Sequence, residues 1–290
     1  MRNILHMIIL TMAIVIAGCT KHKDMEFEQV DNSGYTLIEA NVETLIFDSE
    51  ERIWPEDACI GVYGSEQGEN ERYAIKNVGE GLKTATFYGP LVKGKIAAYY
   101  PYSPSYIGNA DGMPVSIDAE QKYNQEYDVL NQFLSYTPRA YGYMQDNKVN
   151  FVYPTGILHI TAEIIETILI KKITVSSETS MLAGLGIFRN DGTMVMTETG
   201  KQQIVLDCGD GVLSKNNDEF TDFYMVLAPG SYEDLKIQFE IDGEPLFRCK
   251  IPPIEVKRVS ASDFSISTVT ITTSEGPAGF TETPVEFEFE

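Results

Sequence analysis

The segment that decides the fold class is 235–251, LKIQFEIDGEPLFRCKI. Apolar residues occupy every second position from Leu235 to Ile241, and polar residues lie between them. Asp242-Gly243 follows, and a second strand-like run continues to Ile251. A period of two is typical of a β-strand, because successive side chains point to opposite faces of a sheet. Asp-Gly between two such runs predicts a β-hairpin.

Further strand-like runs, bounded by Gly, Pro, Asn or Asp, occur throughout the chain. They cover residues 36–47, 58–63, 84–88, 96–100, 149–153, 159–165, 167–175, 223–227 and 265–273. A sustained helical stripe with caps is not found; the segment 119–136 comes nearest, and it is compatible with a short helix or with a loop. Many short strands separated by turn residues predict an all-β protein built from β-sandwiches.

The length of 290 residues exceeds that of one ordinary sandwich, so two tandem domains are expected. We place the boundary at the polar turn Asp146-Asn147-Lys148. This gives an N-terminal β-sandwich over 36–147 and a C-terminal β-sandwich over 148–290 that includes a terminal strand. Because nothing repeats at a fixed period, a propeller or a solenoid is not predicted.

The N-terminus has the three parts of a secretion signal. Arg2 supplies a positive start, residues 4–16 are mostly apolar, and Ala17 and Gly18 precede Cys19. The run is shorter than the roughly 20 apolar residues of a spanning helix. We therefore predict that 1–18 is a lipoprotein signal peptide, that Cys19 carries the lipid, and that 19–35 is a charged tether. The alternative is an uncleaved anchor with an incidental cysteine.

The composition argues against nucleic acid as a partner. The formal net charge is −21. An acidic surface repels nucleic acid and anionic lipid headgroups. The sequence therefore predicts an exported protein that resists nonspecific association.

The chain is poor in residues that perform catalysis. Of its three histidines, His6 and His22 belong to the signal and the tether, so only His159 lies in the folded part. This excludes most catalytic triads and histidine-based metal sites, and we predict that His159 is a hydrogen-bonded residue of a strand. Asp207 and Asp210 could hold calcium weakly, but the Asp-Gly pattern around them favours a turn. No catalytic residue, metal site or cofactor is predicted, although a pair of carboxylates across a cleft can neither be chosen nor excluded.

Tyrosines are concentrated in two groups, and their role has two alternatives. The residues are Tyr99, Tyr100, Tyr102, Tyr106, Tyr136, Tyr141 and Tyr143. They could stack on sugars, or they could fill the core and the seam between domains, which is the commoner use of tyrosine in β proteins.

Beyond Cys19 the chain contains Cys59, Cys208 and Cys249. An odd number at irregular spacing is not a disulfide framework. One pair could close in an oxidising compartment, or all three could be buried free thiols in strands.

Several segments, taken in order, resemble fimbrillin-like lipoproteins. The segment 54–63, WPEDACIGVY, resembles the family's stretch that leads from Trp and Asp into Ile-Gly-Val-Tyr, and 97–102, AAYYPY, resembles its Tyr-Tyr-Pro-Tyr segment. Residues 125–130 and the strand around 151–160, with His159, fit more loosely. The segment 224–230, YMVLAPG, followed by the predicted hairpin, resembles the C-terminal half. The resemblance covers nearly the whole chain after Cys19.

This resemblance implies a non-enzymatic pilin subunit of type V fimbriae, built from two tandem transthyretin-like β-sandwiches. Such a subunit reaches the cell surface as an outer-membrane lipoprotein, and a trypsin-like arginine protease then removes an early strand together with the anchor. A strand from another pilin subunit fills the groove, and the resulting fibre supports adhesion. The implied partners are other pilin subunits, the protease and the outer membrane.

The parts of this mechanism can be assigned to positions of the sequence. The protease would cut after Arg52, between the run 36–47 and Trp54. The inward positions of the displaced strand would be Thr36, Ile38, Ala40, Val42, Thr44 and Ile46. The donor strand would present Val285, Phe287 and Phe289, which alternate with glutamates after a flexible Gly-Pro-Ala-Gly segment.

Each assignment has an alternative. Arg52 could be an ordinary exposed loop residue. The acidic residues before it and Ile53 after it make a poor site for a trypsin-like protease, which leaves open an uncleaved anchor subunit or a minor subunit. The segment 285–290 could be the last strand of its own sandwich. Two other functions stay open: a monomeric surface lipoprotein that binds glycans through Tyr-rich loops, and an exported hydrolase.

Overall fold

The computed structural model describes residues 35–42, 54–79, 84–126, 129–137, 139–164, 168–214, 221–241, 244–259 and 267–273. The first part contains β1 (Tyr35–Val42), β2 (Cys59–Gly64), β3 (Glu71–Val78), β4 (Thr84–Pro90), β5 (Ile96–Tyr100), β6 (Met113–Ile117), β7 (Glu120–Lys122), α1 (Val129–Tyr136), β8 (Ala140–Gln145) and β9 (Lys148–Phe151). The second part contains β10 (Gly156–Ile164), β11 (Leu169–Ser176), β12 (Gly184–Phe188), β13 (Met194–Met196), β14 (Gln203–Leu213), β15 (Thr221–Leu227), β16 (Gly230–Tyr232), β17 (Lys236–Ile241), β18 (Glu244–Lys250), β19 (Ile254–Val256) and β20 (Ser267–Thr273). The predicted all-β class is confirmed.

Seven strands of the first part form a closed ring. Their order is β1-β4-β3-β2-β5-β8-β9, so β1 completes the circle between β4 and β9. Buried side chains fill the ring, and Trp54 lies among them, with its ring centroid 5.0 Å from that of Phe87 and 5.9 Å from that of Phe151. Offset and perpendicular aromatic contacts at these distances stabilise a core beyond the area that they bury. The ring therefore has its own hydrophobic core.

The second part is a sandwich of two sheets. One sheet has the order β18-β17-β11-β14-β7, and the other has the order β15-β10-β20. The inner faces of the two sheets belong to one buried cluster. In it the ring centroids of Phe223 in β15 and Phe239 in β17 lie 6.2 Å apart. The predicted hairpin is confirmed, since β17 and β18 pair from Lys236↔Lys250 to Ile241↔Glu244. Its alternating sequence places Ile237 and Phe239 in the core, and both are fully buried.

Two strands cross from the first part to the second. β6 and β7 lie between β5 and β8 in sequence, yet β6 pairs with β12 and β7 pairs with β14. The segment 119–136, which by sequence is compatible with a short helix or with a loop, contains both β7 and the eight-residue helix α1. Among the described residues no helix is long and apolar enough to span a membrane.

The expected domain boundary at 147/148 falls inside a hairpin. Asp146 and Asn147 have φ angles of 50° and 63°, and β8 pairs with β9 on either side of them. Two consecutive residues with positive φ make the tight turn that joins antiparallel strands. The polar turn therefore connects β8 to β9, and strand pairing places Lys148–Phe151 in the ring instead of the second sandwich. The division into two tandem transthyretin-like sandwiches stays a prediction.

The acid-rich segment 207–211 has local turn geometry, since the Gly209 N–H donates to Asp207 Oδ1 at 2.9 Å, but the segment lies inside one strand and does not join two strands. It lies within β14, where the register with β11 shifts between Ile170 and Lys172. Gly209 and Gly211 have φ angles of 57° and 102°, which glycine adopts without steric cost. The sequence signal was correct about backbone conformation, but a bulge uses the same residues as a turn.

Candidate functional site

The strand β1 is bonded to neighbours on both sides. It runs antiparallel to β4, from Tyr35↔Pro90 to Asn41↔Thr84. It runs parallel to β9, from Glu39↔Lys148 to Val42↔Phe151. Removing β1 would leave β4 and β9 as two sheet edges with unpaired backbone groups, which is a template for another strand.

The inward face of β1 carries the side chains that sequence alternation predicts. Ile38 and Ala40 are fully buried, and they face Phe87 and Ala85 of β4 in the register of the sheet. Thr36 lies on the same side and is half-buried. Ala40 also lies opposite Val149 of β9. These side chains belong to the core of the ring, so loss of β1 would open an apolar groove.

The outward face of β1 contributes weaker contacts. Glu39 forms an ion pair with Lys148 at 2.7 Å, and both side chains are about half exposed, at 43% and 54%. The Asn41 amide donates to Asn150 at 3.1 Å. Exposed pairs of this kind contribute little, typically about 0–1 kcal/mol. Backbone pairing and two buried side chains therefore hold β1 in place.

The next described residue after β1 is Trp54, which is completely buried. Only Ile53 separates this tryptophan from Arg52. A chain end created after Arg52 would therefore begin at Ile53, one residue before the buried Trp54 of the ring core. Arg52 itself lies outside the described residues, as do Cys19, Thr44, Ile46, Val285, Phe287 and Phe289.

Five of the seven tyrosines form an internal seam, while Tyr100 packs on the core of the ring and Tyr136 on that of the second part. Tyr99 and Tyr141 are buried, while Tyr100, Tyr102, Tyr106, Tyr136 and Tyr143 are half-buried. Tyr99 and Tyr106 have ring centroids 4.2 Å apart. Tyr99 and Tyr106 belong, with Tyr63 and Phe188, to one cluster between the ring and the β6-β12-β13 sheet. Of the two alternatives, the structure favours packing in the core and the seam.

Hydrogen bonds fix these tyrosines to the backbone. The hydroxyl of Tyr106 donates to the Pro114 carbonyl at 2.7 Å, and that of Tyr143 donates to the Phe188 carbonyl at 2.9 Å. Burial raises the pKa of Tyr141 and of Tyr143 to about 12. Both effects follow from placing a phenol in an apolar seam, where the neutral form is favoured. Stacking on a sugar through these rings would require the seam to open.

His159 is a hydrogen-bonded residue of β10, as predicted. Its Nε2 lies 2.9 Å from Oδ1 of Asp222, and its Nδ1 lies 3.3 Å from Oγ1 of Thr268. Its ring stacks on Tyr224 with centroids 4.5 Å apart. These partners lie on β15 and β20, so one side chain links the three strands of the sheet. This arrangement supports a structural role.

The cysteines Cys59, Cys208 and Cys249 are all buried, and no disulfide joins them to one another in the part of the chain that the structure describes. Burial raises the pKa of the Cys208 thiol to about 12 and that of Cys249 to about 11. Both thiols are therefore protonated at neutral pH and are weak nucleophiles. Across the ranges that the structure describes, no three His, Cys, Asp or Glu side chains are grouped to hold a metal ion.

Gln121 is an important buried residue that sequence analysis missed. Its side chain is fully buried and bonds both backbone groups of Val226, by donating to the carbonyl at 2.6 Å and accepting from the N–H at 2.9 Å. The strand β7 is only three residues long and reads Glu-Gln-Lys, which carries no apolar alternation. Nothing in the local sequence therefore identifies it as buried.

No protein-family model and no curated protein matches the sequence. Among solved structures, the chain is similar to a protein of Bacteroides ovatus provisionally assigned to cell adhesion, with 14% identity over 88% of this chain and 96% of that one, at a TM-score of 0.49. It is also similar to the tip fimbrial protein Mfa3 of Porphyromonas gingivalis, with 10% identity, coverage of 88% and 98%, and a TM-score of 0.41. The fimbrial anchor protein Mfa2 of the same organism matches with 14% identity, coverage of 82% and 90%, and a TM-score of 0.43. Solved structures similar to this chain thus include fimbrial and cell-adhesion proteins.

Proposed function

We propose that this chain is a structural fimbrial subunit of the fimbrillin-like family, which assembles on the cell surface by exchanging β1 for a strand of another subunit. The observation that carries the proposal is the position of β1, which closes the ring and lies next to the segment that contains Arg52. Cutting that segment separates β1 covalently from the rest of the ring. A strand that is held only by pairing and burial can then be replaced by another one.

The chemistry of β1 sets requirements for the incoming strand. The incoming strand must supply backbone groups that pair with β4 and β9. It must also supply apolar side chains at alternate positions to fill the groove. The segment 285–290 meets both, because Val285, Phe287 and Phe289 alternate with glutamates that suit the outer face. Ala40 is fully buried opposite Ala85, so the position that it occupies is small. Val285 therefore fits the position of Ala40 better than Phe287 or Phe289 would.

The N-terminal sequence supports the cellular location within this proposal. A signal peptide over 1–18 and a lipid on Cys19 would hold the subunit on the outer membrane until the protease cuts at Arg52. The trypsin-like arginine protease and other pilin subunits are the proposed partners, and adhesion by the fibre is the proposed outcome. Structural assembly, and not catalysis, is then the role of the chain.

The test uses the soluble form that starts just after Cys19. It is treated with a trypsin-like arginine protease under native conditions, the cut is mapped by mass spectrometry, and assembly is followed by light scattering and electron microscopy. We expect one rapid cut after Arg52, followed by heat-resistant oligomers. Arg52→Ala should stay intact and monomeric, whereas Arg189→Ala, at an exposed arginine of another loop, should behave like the wild type.

Donor-strand variants separate cleavage from exchange. Phe287→Ser with Phe289→Ser should leave the cut at Arg52 unchanged and abolish oligomers, because the incoming strand then lacks apolar side chains for the groove. A wild-type chain that is cut at Arg52 and remains monomeric would refute strand exchange. A chain that resists the protease at Arg52 would refute the proposed trigger.

A further inference from the structure

A cleft of about 470 Å³ lies at the tyrosine seam. Its walls come from the loop after β5, from β6, from the end of α1, from the start of β8 and from β12. Its volume falls in the range of about 300–1,000 Å³ that is usual for small-ligand sites. The cleft therefore combines residues of the ring with residues of the sheet that packs on it.

The side chain of Arg139 lines this cleft and forms no ion pair with any residue that the structure describes. Its guanidinium carbon lies 5.4 Å from the centre of the Tyr106 ring, and its Nε is buried and makes no hydrogen bond within the described residues. Asp118 also lines the cleft, but the two side chains form no ion pair in that part of the chain. A half-buried guanidinium with an unused donor has its strongest interaction with a carboxylate, which accepts its N–H groups in pairs.

The other walls suit a sugar ring. The exposed serines Ser105, Ser116 and Ser135 line the cleft with polar side chains, whereas the buried hydroxyls of Thr137 and Thr155 bond each other. Ile107 and Leu185 also line it and are 85% and 44% exposed, so they offer apolar surface to solvent. A pyranose presents hydroxyl groups around its edge and C–H groups on its face, so both kinds of wall find a counterpart.

We propose that this cleft binds a sugar that carries a carboxylate, such as a hexuronic or sialic acid, with Arg139 as the ligand of the carboxylate. The seam tyrosines have a supporting role, since Tyr106 holds the guanidinium at the cleft wall and does not stack on the sugar. The site does not depend on strand exchange, because every residue named belongs to the folded subunit with β1 in place.

The test is a calorimetric or NMR titration of the intact, uncleaved chain with glucuronate and N-acetylneuraminate. The methyl ester of each sugar is the matched neutral probe. We expect saturable binding of at least one acid, and binding of its ester weaker by at least about tenfold, since the charged hydrogen bonds are lost. Arg139→Gln should lower the affinity for the acid by a similar factor and leave the affinity for the ester unchanged.

Three further variants complete the design. Arg139→Lys keeps the charge but loses the fork of donors, so its affinity should fall between those of the wild type and Arg139→Gln. Ser116→Trp fills the cleft at an exposed position and should weaken both probes, while Arg189→Gln should weaken neither. Far-UV circular dichroism confirms that each variant is folded. Equal affinity for acid and ester, unchanged affinity in Arg139→Gln, or no saturable binding of either acid would overturn the proposal.

Discussion

Among single residues, Gln121 shows how one side chain can take the place of a missing strand. The N–H and carbonyl of Val226 point away from the ladder between β15 and β10, and the amide of Gln121 satisfies both. Buried backbone groups are almost always paired, because leaving one unpaired costs as much as a lost hydrogen bond. The glutamine therefore joins β7 to a strand 105 positions later in the chain.

Replacing this amide should destabilise the whole protein. Gln121→Ala leaves a buried donor and a buried acceptor unsatisfied, at about 1–3 kcal/mol each, so we expect the free energy of unfolding to fall by about 2–6 kcal/mol. Urea denaturation followed by circular dichroism measures the change. Gln203→Ala, at an exposed position of β14, is the control and should change stability by less than about 0.5 kcal/mol. A loss below about 1 kcal/mol in Gln121→Ala would show that water replaces the amide.

Within single elements, β1 illustrates what alternation encodes. The same period-two pattern that places Ile38 and Ala40 inside leaves Leu37 on the outer face, where it is 51% exposed. Two adjacent aliphatic residues thus have opposite environments. This contrast provides a matched pair of positions for measuring how strongly the inward face holds the strand.

We expect Ile38→Ala to lower the free energy of unfolding of the uncut chain by about 2–5 kcal/mol, because it creates a cavity opposite Phe87. Leu37→Ala should change it by less than about 0.5 kcal/mol. If β1 is the strand that exchanges, the cut Ile38→Ala protein should also form oligomers faster than the cut wild type, as light scattering would show. Equal destabilisation by the two variants would mean that β1 is held mainly through its backbone.

For the whole molecule, the seam couples the ring to the second sandwich. β6 and β7 leave the first part and pair with β12 and β14, and the tyrosine cluster fills the space between. Contacts of this extent favour unfolding of both parts together. The chain's single tryptophan, Trp54, lies in the ring, so its fluorescence reports on that part alone.

Alkaline pH should weaken this arrangement in a defined window. Burial raises the pKa of Tyr141, Tyr143 and Tyr153 to about 12, whereas unfolded tyrosines ionise near about 10. Above pH 10 the unfolded state releases protons that the folded state retains, so stability should fall steadily until about pH 12. Urea unfolding between pH 9 and 11, followed by Trp54 fluorescence and by circular dichroism, measures this loss.

We expect the two signals to give the same midpoint at each pH. Tyr143→Phe should have a shallower dependence on pH, because it removes one of the protons involved. Stability that does not change between pH 9 and 11 would contradict the burial of these phenols in the native state. A separate, earlier transition of Trp54 would show that the ring unfolds independently of the second sandwich.

The candidate sites differ in how far the sequence predicts them. The alternation of 36–47 predicts which side chains of β1 point inward, and the structure places Ile38 and Ala40 in the core. The sequence predicts no role for Arg139, because its significance depends on which residues fold around it. The sequence also predicts a domain boundary at the hairpin turn Asp146-Asn147, since a polar turn inside a sheet and one between domains have the same local sequence.

Local sequence is enough for the all-β class, the hairpin of β17 and β18 and the inward positions of Ile38 and Ala40, because a period of two is a local property of a strand. Three features need the folded chain: β1 closes a ring, β6 and β7 cross to the second part, and five tyrosines pack in a seam. Strand pairing and burial depend on partners distant in the chain, as Gln121 and Val226 are. Periodicity says which face of a strand is apolar, but it does not say which surface covers that face.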